Sequence, residues 1–84
     1  MVHSVKFTSR ARKEISALPS HDRTRLVKAS MALADNPRPH GCKKLKGSGA
    51  YRIRVGDYRV VYEIHDDVLV VLVVRVAHRR EAYK

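Results

Sequence analysis

The residues best suited to chemistry in this chain are arginines at alternate positions of a hairpin pattern. Residues 51–64 read YRIRVGDYRVVYEI and carry Arg52, Arg54 and Arg59 on either side of a Gly-Asp pair. A guanidinium presents several N–H donors in one plane and keeps its charge at physiological pH, so it suits phosphate binding but cannot act as a general base. This spacing predicts phosphate binding and stabilisation of negative charge.

A second group of reactive side chains lies at the C-terminus, where residues 77–84 read AHRREAYK. The imidazole of His78 can take up and release a proton near neutral pH. Arg79 and Arg80 add positive charge, and a nucleobase can stack on the ring of Tyr83. An ordinary charged, frayed C-terminus has the same composition. These residues are therefore candidates for function only in combination with the hairpin arginines.

The charge balance points to a polyanionic partner. The chain has 84 residues, with 18 Lys and Arg against 8 Asp and Glu, for a net charge of +10. Such an excess is typical of proteins that bind nucleic acid, although it also promotes solubility. Lys43, Lys44 and Lys46 in the middle of the chain are further candidates for contacts to phosphate.

The length and cysteine content of the chain limit the number of domains, the cross-links and the cellular compartment that we expect. We expect one domain spanning residues 1–84, without cofactor or metal. Cys42 is the only cysteine, which excludes an intramolecular disulfide and fits a reducing cytoplasm. The apolar run at 68–77 contains Arg75 and is too short to span a bilayer, so we expect a cytoplasmic protein with no membrane partner.

The patterns along the chain predict an α+β fold with the order β-α-α-β-β-β. Alternation predicts a strand at 3–8, and apolar spacing predicts a helix that Thr8 or Ser9 caps and Pro19 ends. A second helix, capped by Ser20, is expected over His21–Ala34, followed by a loop at 36–49 that Leu45 pins to the core. The hairpin at 51–64, a turn at 65–67 and a strand at 68–77 complete the expected elements. The two helices should pack on one face of a small, twisted, mainly antiparallel sheet.

A Gly-Asp turn determines which hairpin side chains share a face. With Gly56 and Asp57 as the turn, Arg54 lies opposite Arg59, and residues directly opposite share a face. One face becomes apolar, and the other collects Arg52, Arg54, Arg59 and Val61. Like charges placed opposite each other destabilise a sheet, and a bound phosphate would relieve this repulsion.

The register of the last strand is less determined. If the second turn is tight at Asp66 and Asp67, Arg59 lies opposite Val74 and His78 shares the arginine face. The residues HDD at 65–67 also allow a three-residue loop with a bulge.

The motifs GCKKLKG, YRIRVGDYRVVYEI and VLVVRVAHRREAY together resemble the RelE family of bacterial toxins, in the wider RelE/ParE superfamily. The resemblance covers essentially the whole chain. It implies a metal-independent endoribonuclease that cuts messenger RNA in the decoding site of the 70S ribosome, inhibits translation and is neutralised by a RelB-like antitoxin that wraps around it in a hetero-oligomer.

The resemblance also assigns roles to residues. The functional positions of the family fall on Arg52, Arg54, Arg59, Arg79 and Tyr83. The best-known members carry lysines where this chain has Arg52 and Arg54, so neither can be the base, and His78 is the candidate for proton transfer. Arg59 and Arg79 would stabilise the phosphate and Tyr83 would stack on a base.

Three other functions fit the same sequence. One is a ParE-like inhibitor of DNA gyrase on the same fold, whose arginine face would bind protein or DNA. Another is an RNA-binding module without catalysis, and the third is an inactive homologue retained for antitoxin binding. Fold alone does not separate these functions.

Overall fold

The computed structural model describes residues 2–78, which form two helices and one five-stranded sheet. The elements in chain order are β1 (Ser4–Phe7), α1 (Ser9–Ser16), α2 (Ser20–Ala32), β2 (Lys43–Lys44), β3 (Tyr51–Val55), β4 (Tyr58–His65) and β5 (Val70–His78). Across the sheet the order is β1-β5-β4-β3-β2, with β1 parallel to β5 and the other pairs antiparallel. The predicted α+β class and element order are confirmed, and β2 is an additional short strand inside the predicted loop.

The two helices begin and end close to the predicted residues. Thr8 caps α1, since its Oγ1 accepts a hydrogen bond from the Ala11 N–H at 3.1 Å. The predicted cap of α2 is wrong, because Ser20 already lies in the helix and Pro19 holds the N-cap position. Neither helix of residues 2–78 has the length and apolar character that crossing a membrane requires.

The core lies between the helices and one face of the sheet. Ile15 of α1 and Leu26 of α2 are buried against Val60, Tyr62 and other strand residues of that face. The hydroxyl of Tyr62 donates to the backbone carbonyl of Pro37 at 2.7 Å, so the polar end of this buried ring is satisfied. Burial raises the pKa of Tyr62 far above its ordinary value, which keeps the phenol protonated as a donor.

The predicted register of the β3–β4 hairpin is confirmed. Arg54 pairs with Arg59 and Tyr51 pairs with Tyr62, as a two-residue turn requires. Gly56 has φ of +60°, a conformation that glycine adopts without steric cost. The hairpin arginines therefore share the face of the sheet opposite the helices, which we call the open face.

The register of β4 with β5 differs from the one that a tight second turn would give. The structure pairs Arg59 with Ala77, whereas a tight second turn would place Arg59 opposite Val74. One reason is the length of the turn between β4 and β5. It occupies four residues, 66–69, so β5 begins only at Val70. A turn lengthened by two residues shifts the pairing but leaves the alternation of faces unchanged.

A β-bulge in β5 accounts for the rest of the difference. Val73 pairs with Tyr62 and Arg75 pairs with Val61, so Val74 is an extra residue between two adjacent pairs. One inserted residue reverses the alternation, because successive side chains point to opposite faces. Arg75 and Ala77 consequently lie on the open face.

Candidate functional site

A hollow on the open face of the sheet gathers the hairpin arginines. It has a volume of about 310 Å³ and is lined by Leu45, Arg52, Arg59, Val61, Arg75 and Ala77. We call it the arginine hollow. Since the helices cover the other face, a ligand can approach this one without moving an element of the described chain.

Small and apolar side chains keep the hollow open. Ala77 lies directly opposite Arg59 and is buried, so its methyl group forms part of the floor. Leu45 follows β2 and is held by a backbone bond from its N–H to the Ala50 carbonyl at 2.8 Å. The prediction that Leu45 pins its loop to the core is wrong, because Leu45 lines the hollow on the open face and does not belong to the core cluster.

The electrostatics of the hollow favour an anion. The guanidinium groups of Arg52, Arg59 and Arg75 come from three adjacent strands and line one space. Partial burial weakens solvent screening, so a phosphate held there would interact more strongly with these charges than at a fully exposed site. A planar guanidinium can also bind two phosphate oxygens at once.

The other phosphate contacts predicted among residues 2–78 do not line the hollow. Arg54 pairs with Arg59, yet its side chain is exposed. Lys43 pairs with Arg52 and lies on the same open face, whereas Lys44 pairs with Tyr51 and lies on the helix face. Lys46 is exposed in the loop after β2. These charges can add to a basic surface but do not meet at one point.

The structure does not bring His78 to the arginine face, and that prediction is wrong. His78 pairs with Tyr58, whose side chain is on the helix face, and the two rings meet edge to face at 5.4 Å. Both line a separate space of about 200 Å³ together with Glu14, Leu18 and other residues. The bulge at Val74 is the physical cause, because it reverses the faces of the last residues of β5.

Three predicted site residues, Arg79, Arg80 and Tyr83, lie outside the described residues. The roles of Arg79 and Tyr83 remain predictions that rest on the resemblance, and that of Arg80 remains a prediction from its charge beside them. Within residues 2–78, no three His, Cys, Asp or Glu side chains lie close enough together to hold a metal ion.

Sequence reasoning missed two residues near the hollow. Arg75 lines it, although in the sequence this arginine only interrupts an apolar run. Glu14 of α1 lies within 3.5 Å of Arg75 at the edge of the sheet. A charged residue inside an otherwise apolar strand was the available signal for Arg75, while no pattern in the sequence connects it to Glu14.

Comparison with known proteins identifies close relatives. Residues 5–83 match the model of a family described as the ParE toxin of the type II toxin–antitoxin system, parDE. The toxin RelG of Mycobacterium tuberculosis is 32% identical over 87 residues, which cover 100% of this chain and 99% of RelG.

Solved structures of toxin–antitoxin complexes share the fold. A chain of the RelBE2 toxin–antitoxin complex from Mycobacterium tuberculosis has a TM-score of 0.84 and 30% identity, covering 94% of this chain and 100% of that chain. A chain of the archaeal RelE–RelB complex from Pyrococcus horikoshii has a TM-score of 0.83 and 29% identity, covering 94% of this chain and 97% of that chain. The chain therefore belongs to the RelE-like toxins of type II toxin–antitoxin systems.

Proposed function

We propose that this toxin is an endoribonuclease that cuts messenger RNA on the ribosome, in the cytoplasm, and so stops translation. The arginine hollow is the observation that carries the proposal, because it offers several guanidinium groups to a phosphate on the face that neither helix of residues 2–78 covers. An RNA backbone supplies such phosphates, and the net charge of +10 favours association with a polyanion as large as the ribosome.

The proposed reaction uses the nucleophile that RNA itself carries. The 2′-oxygen forms a bond to the adjacent phosphorus while the bond from phosphorus to the 5′-oxygen breaks. A base removes the proton of the 2′-hydroxyl, and an acid gives a proton to the leaving 5′-oxygen. The products are a 2′,3′-cyclic phosphate and a 5′-hydroxyl end.

The arginines of the hollow would act on the charge that develops at phosphorus. Arg59 of β4 would bind the non-bridging phosphate oxygens, and Arg79 is assigned the same task by the resemblance. Positioned donors of this kind stabilise the transition state because they need no reorganisation when the charge appears. Arg52 would orient the RNA backbone from the neighbouring strand.

The remaining basic residues are proposed to hold the toxin on the ribosome. Arg54 and Lys43 on the open face, and Lys46 in the loop after β2, are exposed and can contact phosphates of messenger or ribosomal RNA. Lys44 is exposed on the helix face and would contact RNA from that side. Arg80 is assigned to the same group, and Tyr83 to stacking on a base of the cut codon.

Proton transfer needs a group that the described lining does not offer. The residues of the hollow between positions 2 and 78 are three arginines and apolar side chains, and arginine does not give up its proton. His78 was the candidate from the resemblance, but its ring lies on the helix face beside Tyr58. The geometry therefore supports charge stabilisation by the hollow more directly than proton transfer by His78.

A cognate antitoxin is the proposed partner. The RelBE2 and RelE–RelB structures are complexes of a toxin with its antitoxin. We infer that a RelB-like antitoxin wraps around this toxin in a hetero-oligomer and blocks access to the open face. The basic surface would suit an acidic segment that folds on contact.

The test is cleavage of a defined messenger RNA by the purified toxin, with and without 70S ribosomes. We expect cuts only when ribosomes are present, with 2′,3′-cyclic phosphate ends. Arg79→Ala should lower the rate on the order of 10²-fold, as expected when a transition-state donor is lost. Absence of ribosome-dependent cuts by the wild-type toxin would overturn the proposal.

Inhibition of DNA gyrase is the second candidate function, since the matching family model is that of the ParE toxin. On this alternative the open face would bind protein or DNA and cut nothing. Expression of the toxin in cells separates the two functions. Gyrase-linked breaks in DNA with intact messenger RNA would favour the ParE-like function, and cut messenger RNA with intact DNA would favour the nuclease.

A further inference from the structure

The outer edge of β5 changes partner halfway along the strand. β1 pairs in parallel with residues Val70–Val73, and the chain then turns into α1 at Thr8. Beyond that point, side chains make the hydrogen bonds to the β5 backbone that a neighbouring strand would otherwise make. The Thr8 hydroxyl donates to the Val74 carbonyl at 3.0 Å, and Glu14 Oε1 accepts from the Val76 N–H at 2.8 Å. Glu14 is thereby fixed to the backbone that carries Arg75.

The second carboxylate oxygen of Glu14 faces Arg75. Oε2 lies 3.5 Å from Arg75 Nε and 3.6 Å from Arg10 Nε. The side chain of Glu14 is 23% exposed and that of Arg75 36% exposed. An ion pair this accessible to water adds little to the stability of the fold. Its main effect is therefore on the position of the Arg75 guanidinium.

The bulge at Val74 makes this arrangement possible. If Val74 were paired regularly opposite Val61, alternation would place Arg75 on the same face as Val73, which is the helix face, where the core lies. With the bulge, Arg75 pairs with Val61 and reaches the hollow that Arg52 and Arg59 also line. Glu14 lies beside Nε, the nitrogen nearest the chain, in an ion-pair contact without hydrogen-bond geometry. The two Nη groups of a guanidinium carry further N–H donors with which it can bind an anion.

We propose that Arg75 is a further phosphate-binding arginine of the hollow and that Glu14 is the positioning residue that orients it. The inference rests on the proposed nuclease function and names a residue of the same site. A guanidinium that is already held beside a carboxylate loses less conformational freedom when it binds a phosphate oxygen than a freely moving arginine does.

The experiment compares Arg75→Gln, Glu14→Gln and the double variant in single-turnover cleavage on ribosomes. The glutamine oxygen at position 14 can still accept from the Val76 N–H, so Glu14→Gln removes the charge and keeps the backbone bond. Arg23→Gln on the exposed surface of α2 is the control for lost positive charge. Glu63→Gln, on the open face beside His65, is the control for a lost carboxylate.

We expect Arg75→Gln to lower the rate of the chemical step on the order of 10²-fold. Glu14→Gln should lower it about tenfold, as loss of a ligand-orienting partner does. If Glu14 acts through Arg75, the double variant should be no slower than Arg75→Gln alone. Both controls should cut at the wild-type rate, and all variants should keep the wild-type melting temperature within a few degrees.

Two results would overturn the inference. Cutting by Arg75→Gln at the wild-type rate would remove Arg75 from the site while the nuclease function stands. An effect of Glu14→Gln that persists in the Arg75→Gln background would show that Glu14 supports the strand edge and does not act through the arginine.

A binding measurement separates this inference from the nuclease proposal. A 2′-O-methyl RNA trinucleotide, which cannot be cut, is titrated into the wild-type toxin and Arg75→Gln. We expect clearly weaker binding by the variant even if the wild-type toxin cuts no messenger RNA. Equal affinities would overturn the assignment of Arg75 whatever the outcome of the cleavage assay.

Discussion

Arg59 lies directly opposite Ala77, whose small, buried side chain lines the arginine hollow beside it. We expect Ala77→Leu to occupy the arginine hollow and to lower ribosome-dependent cleavage at least tenfold. The added methylene groups would enter an open hollow, so the free energy of unfolding should fall by less than the ~1–3 kcal/mol typical of overpacked cores.

The cleavage rate and the denaturant midpoint measure these two effects separately. Ala32→Leu at the exposed end of α2 is the matched control, since it adds the same atoms away from the hollow. Full cleavage by Ala77→Leu would show that the reaction takes place elsewhere on the toxin.

Two arginines that face each other across the hairpin should have different effects on activity. Arg59 lines the hollow, whereas Arg54 is exposed beside it. We expect Arg59→Gln to lower the rate of the chemical step on the order of 10²-fold, because a transition-state donor is lost. Arg54→Gln should instead weaken ribosome binding and reduce the slope of log affinity against log salt by about one.

Single-turnover rates and binding titrations at several salt concentrations distinguish the two effects. Equal losses of catalytic rate in both variants would contradict a distinct hollow. An affinity that does not change with salt would contradict phosphate contacts altogether.

The position of His78 leads to an expectation for the pH dependence of cleavage. Its ring packs against Tyr58 on the helix face, away from the arginine hollow. We therefore expect His78→Gln to leave the shape of the pH–rate profile unchanged. Loss of one limb of the pH–rate profile in His78→Gln would show that His78 carries the proton. Asp22→Asn is the control for disturbed packing around Tyr58, because it replaces the carboxylate that accepts the hydrogen bond of the Tyr58 hydroxyl.

A carboxylate on the β4–β5 turn should contribute to stability in a pH-dependent manner. The hydrogen bond from Arg38, and then that from His3, hold the pKa of Asp66 below its ordinary value. The folded state therefore binds the proton less readily than the unfolded state. The contribution is fully present above the unfolded pKa of about 4 and is lost as the pH falls through the folded pKa.

Asp66→Asn should lower the melting temperature near neutral pH, and the difference from wild type should shrink on acidification below about pH 4. Asp67→Asn, at the adjacent exposed position of the turn, is the control. Identical melting curves for the two variants across this pH range would contradict the role of Asp66.

The hairpin could be predicted from the sequence because its determinants are local. Gly56 and Asp57 specify a two-residue turn, and alternation then places Arg52, Arg54 and Arg59 on one face without knowledge of the rest of the chain. The helix cap at Thr8 depends on its immediate neighbours in the same way.

The rest of the site depends on contacts between distant parts of the chain. At the bulge, the Val74 carbonyl accepts a hydrogen bond from Thr8, which lies 66 residues earlier in the sequence. No pattern within β5 predicts the bulge. The strand β2 has two residues and pairs with β3 across a loop, too little for a periodicity to show. The sequence therefore does not predict the position of Arg75 or the face on which His78 lies.

The bulge also makes the pairing register of β5 a condition for activity. If Val74 were paired regularly opposite Val61, uninterrupted alternation would turn residue 75 toward the helices, and the histidine at the strand end would emerge among the guanidinium groups. Burying a charged side chain against Ile15 and Leu26 carries a large cost in solvation, so the charge of residue 75 itself opposes the loss of the bulge.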